Sequence, residues 1–179
     1  MITITIKLVA IILLITLALE SDLRTYKIKN TVTYSFMLAG MILNLLSEGP
    51  RGFILSLLGI VLPLICLFAL YALRFIGAGD IKLLGAVGAI MGASFALYAA
   101  AFSFICGGLM AIAIIIKGKN GMERLGYLLE YIKSCLLSGK LLKYTDFNHK
   151  NGNGEFHFSI AVASGTAAAY ALFIYMPVV

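Results

Sequence analysis

Two carboxylates carry the chemistry this sequence offers. Asp80 stands in Gly77-Ala78-Gly79-Asp80-Ile81-Lys82, between two long apolar runs, and Asp22 stands at the end of another. A charged side chain at membrane depth costs roughly 2.5–3.5 kcal/mol on insertion scales, so an ionisable group at such an edge is a functional-site hypothesis by default. The third aspartate, Asp146, lies in a long polar segment. Two carboxylates held together suit acid–base hydrolysis. One, ionised, takes a proton from water; the other, protonated, polarises a carbonyl and assists the leaving amine. Like charges held close cannot both ionise easily, so such a pair shares a proton and titrates as a unit. Glu20, two residues before Asp22, competes with it for the role, and periodicity does not choose between them. The plain alternative is interfacial ion pairing, Asp80 with Lys82 or Arg74 and Asp22 with Arg24. His149 and His157 have no metal-ligand spacing. Cys66, Cys106 and Cys135 form no CxxC pair and read as small packing residues.

The elements that would position these residues are membrane helices. The 179 residues are 61% hydrophobic and only 12% charged, with mean hydropathy +1.02. Soluble domains run near 45–50% apolar and 25% charged. We therefore expect one all-α, polytopic membrane domain over residues 1–179, with about six spans at about 20 residues each. The first run, Met1 to Leu19, reads as a retained span, because Ala18-Leu19-Glu20 lacks a small-x-small cleavage pattern. Further spans are expected at about 31–46, at 53–73 with Pro63 inside, twice within 83–116, and at 158–176. A tight turn at Gly92-Ala93-Ser94 would separate the fourth from the fifth. Small residues at helical spacing (Gly85, Gly88, Ala89, Gly92) suit close helix approach in lipid. In the polar segment 117–157, Met122, Leu125, Leu129, Ile132 and Leu136 recur at three- and four-residue intervals. That pattern predicts an amphipathic interfacial helix in the last cytoplasmic loop.

Charge placement sets the orientation. The formal net charge is +6, and twelve of the fourteen Lys and Arg residues fall in three alternate loops, at about 20–30, 74–82 and 117–157. The positive-inside rule puts those loops in the cytoplasm and both termini outside. The basic balance is thereby explained by the lipid bilayer, with no need for nucleic acid. Asp22 and Asp80 then share the cytoplasmic side.

The run from Gly77-Ala78-Gly79-Asp80-Ile81-Lys82-Leu83-Leu84-Gly85 to Gly92 resembles the GxGD motif of type IV prepilin peptidases, a family of GxGD membrane aspartic proteases. Asp22 through Ile28-Lys29-Asn30 resembles their other catalytic stretch, an Asp followed by Ile-Pro-Asn, with Lys29 in place of the proline. The resemblance implies that Asp22 and Asp80 are the catalytic pair and that Glu20 is not. It implies supporting roles for Gly77 and Gly79, letting the backbone bend and approach substrate, and for Lys82, which would tune the Asp pair, orient the loop or, the preferred reading, anchor its helix at the headgroups. It further implies an aspartic endopeptidase, multi-pass in the inner membrane. That enzyme would remove the short basic leader of a prepilin or prepilin-like precursor at the cytoplasmic face, with neither metal nor organic cofactor. The four-cysteine insertion of the larger, methylating members is missing, so the chain resembles the short peptidase-only form of tight-adherence pilus systems. The alternatives are a GxGD protease acting on other membrane helices or signal peptides, and a non-enzymatic transport or assembly component. The precursor cleaved and the oligomeric state have no signature in the sequence.

Overall fold

A computed structural model describes residues 2–73, 75–117 and 157–175. All regular structure among them is helical: α1 (Ile2–Thr25), α2 (Asn30–Ala72), α3 (Ala78–Met91), α4 (Ala93–Lys117) and α5 (Phe158–Tyr175). The segments Thr3–Thr25, Asn30–Ala72, Ala93–Ile114 and Phe158–Tyr175 are long and apolar enough to cross a membrane. The expected interfacial helix, with Asp146 and His149, lies outside the described residues.

The 43-residue α2 is two helices in series. Gly49 breaks it with φ 68 and ψ −152, a left-handed φ that glycine adopts without steric cost. Pro50 follows at the first helical position of the second half, where its missing N–H is not needed. The halves fold back on each other: Asn44 Nδ2 donates to Ser56 Oγ at 2.7 Å, twelve residues on in sequence. The turn expected at 47–52 is therefore present, compressed to one glycine. Gly92, with φ 97, likewise breaks the chain between α3 and α4.

The chain divides into two compact units, residues 1–107 with 157–179, and residues 108–156. Of the second, the described part is the end of α4, where Leu109, Ile112, Ile114 and Ile116 are exposed.

The first unit is built around α3. This 14-residue helix is buried from Leu83 through Ile90, and at about 1.5 Å per residue it is only ~21 Å long. Backbone contact holds it. A Cβ on Gly59 of α2 would overlap the Gly88 carbonyl of α3, and one on Gly88 would overlap the Gly59 carbonyl. Gly40, on the other half of α2, comes equally close to Ala89: an added Cβ would lie 2.7 Å from its carbonyl carbon. Gly85 packs against Met37. Three of the four small residues singled out in the sequence thus serve close packing, while Gly92 serves the turn. A polar knot secures the far end, with Asn44 Nδ2 donating to the Ala89 carbonyl at 2.9 Å and Ser56 Oγ to the same carbonyl at 2.8 Å. Interhelical hydrogen bonds and small residues are the means of helix association where lipid removes the hydrophobic drive. The exterior is correspondingly apolar: Leu38, Ile65 and Phe68 are 57%, 67% and 64% exposed. Cys66 is exposed too, and Cys106 half-buried, so Cys66 does not pack the interior as its type suggested.

Helix direction follows from the contacts. Lys7, early in α1, pairs with Glu48 beside the Gly49 break at 3.3 Å. Phe95, early in α4, meets Phe173, late in α5, edge to face. The opposite end of the unit collects the end of α1, the starts of α2, α3 and α5, and Gly107 of α4, whose nearest neighbour is Phe158.

Candidate active site

Both aspartates sit at that second end, and both are helical. The sequence placed them in loops at 20–30 and 74–82; the structure extends α1 through Thr25 and starts α3 at Ala78. Local hydrogen bonding explains the difference. Thr25 Oγ1 donates to the Ser21 carbonyl at 2.8 Å, and Ser21 Oγ to the Lys27 carbonyl at 2.8 Å. These hydroxyls tie the last turn of α1 to itself and to the backbone just beyond it. Tyr26 then closes the helix in the left-handed region, φ 54, its N–H bonded to the Asp22 carbonyl at 2.8 Å. In α3, Gly77 is the N-cap and Asp80 lies in the first turn. The Gly77 N–H donates to the Asp80 side chain. This is the acidic half of a capping box, at the helix end where negative charge is favoured.

The two sequence stretches meet. A Cβ on Gly79 would lie 3.2 Å from the Ile28 Cβ, and one on Gly77 would lie 3.0 Å from Asp80 Oδ2. Both glycines therefore act by leaving room, Gly79 for Ile28 and Gly77 for the Asp80 carboxyl. The backbone freedom expected of them is not used at Gly77, whose φ is an ordinary −72. Lys82 Nζ donates to Asn30 Oδ1 at 3.0 Å and lies 5.2 Å from the centre of the Tyr34 ring. Its ammonium thus ties α3 to the start of α2. Lys29, in the place of a proline, has φ −65, the value a proline ring would impose.

Asp22 is buried, and its Oδ2 accepts from Ser159 Oγ at 2.5 Å and lies 3.2 Å from His157 Nδ1. The His157 ring stacks on Tyr26, centroids 4.5 Å apart and planes 19° from parallel. Asp80 is half-buried and lies outside the four span-length helices. Burial pushes its carboxyl up from 3.8 to about 6; the charge of Asp22 adds to the rise, and the Gly77 N–H opposes it. The electrostatic coupling of Asp80 to Asp22 is what a proton-sharing pair requires.

The plain ion-pair alternative fares poorly. Among the described residues the ion pairs are Lys7–Glu48 and Arg24–Glu20; His157 and Asp22 meet in a hydrogen bond of 3.2 Å. Arg24 holds Glu20 at 2.9 Å on the exposed face of α1, so it neutralises Glu20 rather than Asp22. Lys82 is engaged with α2, and Arg74 lies outside the described residues. His157, Ser159 and Tyr26 were not anticipated. The only signal for them was a pair of polar side chains, at 157 and 159, where the last apolar run begins. A separate crevice of about 300 Å³, lined by Arg51, Met91, Tyr98 and Phe173 among others, opens near the Gly49 and Gly92 breaks and includes none of these site residues.

Buried Asp22 and half-buried Asp80 thus stand at one end of a helical unit whose exposed face is apolar, the build of a membrane protein. The chain matches the type IV leader peptidase family over residues 8–112, more than half its length, and belongs to that family. The matched span contains Asp22, Asp80 and the Gly77–Lys82 turn, and ends before His157 and Ser159. No curated protein and no solved structure matches the chain.

Proposed function

We propose that this chain is an aspartic-type endopeptidase of the inner membrane that removes the basic leader from type IV prepilins or prepilin-like precursors. One observation carries the reading: the two stretches bearing Asp22 and Asp80, far apart in sequence, lock together through Gly79–Ile28 and Lys82–Asn30 with the two carboxyl groups electrostatically coupled. The whole chain forms one peptidase domain of six crossings, counting the halves of α2 separately and α3 from Leu83 onward as a short inner crossing, with Asp80 at its cytoplasmic edge. The end carrying the pair faces the cytoplasm, as the basic loops require, and both termini lie outside. A leader peptide then stays in the cytoplasm while the apolar helix of the precursor lies in the bilayer beside the site.

The chemistry balances with two carboxyls and one water. The ionised carboxylate takes a proton from water, and the oxygen attacks the scissile carbonyl carbon. The protonated carboxyl gives its proton to the carbonyl oxygen. On collapse, the first carboxyl protonates the amide nitrogen, the second recovers a proton from the diol, and the C–N bond breaks. Both groups return to their starting states. A group acting in general acid–base catalysis contributes about 10²–10⁴-fold.

The test is co-expression with a pilin precursor from the same genome, reading leader removal by the size and new N-terminus of the product. Wild type cleaves; Asp22→Asn and Asp80→Asn each fall by at least about 10²-fold. Undiminished cleavage by either variant sinks the two-aspartate reading. No cleavage by wild type, with the protein present in the membrane, rejects this substrate class.

A further inference from the structure

Resting on the two-aspartate reading, we propose that Ser159 and His157 are positioning residues that hold Asp22 as the base of the pair, which leaves Asp80 as the acid. The family match ends at residue 112, so the assignment comes from α5 alone.

The geometry is one-sided. Asp22 Oδ2 receives Ser159 Oγ at 2.5 Å and His157 Nδ1 at 3.2 Å. A carboxylate oxygen can only accept, so the His157 tautomer that completes the contact carries its proton on Nδ1. Two side-chain donors meet on one carboxylate oxygen, which can only accept them. They also fix the carboxylate plane, leaving the other oxygen for water. Among the described residues, the donor to the Asp80 side chain is the Gly77 N–H. With both donors spent on Asp22, Asp80 is the group placed to carry the shared proton.

The supports are rigid. Ser159 is 1% exposed, in the first turn of α5. Phe158, between the two donors, packs on Phe104 with centroids 5.7 Å apart. Tyr26, closing α1 in the left-handed region, stacks on the His157 ring. Among the described residues, the charged groups on the elements beside Asp22 have these partners. On α1, Glu20 and Arg24 bind each other. On α3, Asp80 is the partner and Lys82 is engaged by Asn30 and Tyr34 of α2. On the α5 side, His157 is the donor itself.

The experiment measures kcat, KM and the pH profile of precursor cleavage for purified full-length wild type, Ser159→Ala, Ser159→Thr, His157→Ala and His157→Asn. Thermal melting establishes that each is folded. We expect Ser159→Ala and His157→Ala to lose about tenfold in kcat with KM within about twofold, and the acid limb of the profile to move toward neutrality by about one pH unit, the equivalent of that tenfold. Ser159→Thr and His157→Asn keep a donor at nearly the same place and restore both. An acid limb unmoved in both alanine variants overturns the assignment, as does a loss confined to KM. If Asp22→Asn and Asp80→Asn are inactive while Ser159→Ala is unaffected, this inference fails and the two-aspartate reading stands. If Asp22→Asn stays active, both fail.

Discussion

At the residue scale, the two aspartates were legible and their neighbours were not. Asp22 and Asp80 stood out because an acid beside an apolar run must be accounted for. Glu20 stood equally close, and periodicity did not separate them; the family resemblance chose Asp22, and in the fold Glu20 is on an exposed face with Arg24 while Asp22 is buried. His157 and Ser159 meet Asp22 across 135 and 137 residues, a separation no periodicity reports. The raised Asp80 carboxyl makes a prediction about stability. Its folded value, about 6, lies above the ordinary 3.8, so the folded state holds the proton more tightly than the unfolded chain. The stabilisation is fully present below about pH 4 and is lost as pH rises through about 6. Thermal unfolding in detergent should therefore show Tm falling across that window for wild type. Asp80→Asn should remove that component, leaving the variant more stable than wild type at pH 7.5 though inactive. Equal pH dependence in the two proteins would contradict the burial of this group.

At the element scale, span positions and both turns were readable from glycine and proline placement, whereas helix ends were not. Ser21, Thr25 and Gly77 extend helices into segments whose charges read as loop. The central position of α3 was also hidden, because a run of Gly, Ala and Leu looks the same on a lipid-facing helix as on an enclosed one. Its contacts lead to two predictions. Gly88→Val forces side-chain atoms into the Gly59 backbone, which cannot yield as a side-chain tip would. Overpacking of this kind costs about 1–3 kcal/mol, and the melting temperature of the purified variant should fall accordingly. Gly108→Val, at a site with open space within its own surroundings, should leave it nearly unchanged. Lys29→Pro should be tolerated, since φ is already −65. The restriction it places on the unfolded chain should add about 0.4–1 kcal/mol, read as a higher Tm with cleavage retained. A lower Tm would mean that the Lys29 N–H is needed.

At the scale of the whole molecule, composition announced a membrane protein, and the structure has the matching exterior: Leu, Ile and Phe are exposed outside, while Ser56, Thr33, Asn44 and close-packed glycines sit among the buried apolar side chains. The charge pattern adds a direction. With Cys66, Cys106 and Cys135 replaced, a single cysteine at Lys27 should react with an impermeant maleimide only after the cell is opened, and one at Ser47 in intact cells. The reverse pattern would put the aspartates on the wrong side for a leader that stays in the cytoplasm. The central claim is narrower, that Asp22 and Asp80 act as one proton-sharing unit, and a double-variant cycle tests it most directly. Residues that act as a unit are strongly non-additive. For purified protein cleaving a precursor peptide, Asp22→Asn, Asp80→Asn and the double variant should share one residual kcat/KM, each at least about 10²-fold below wild type. A double variant reduced by the product of the two single losses would contradict the account.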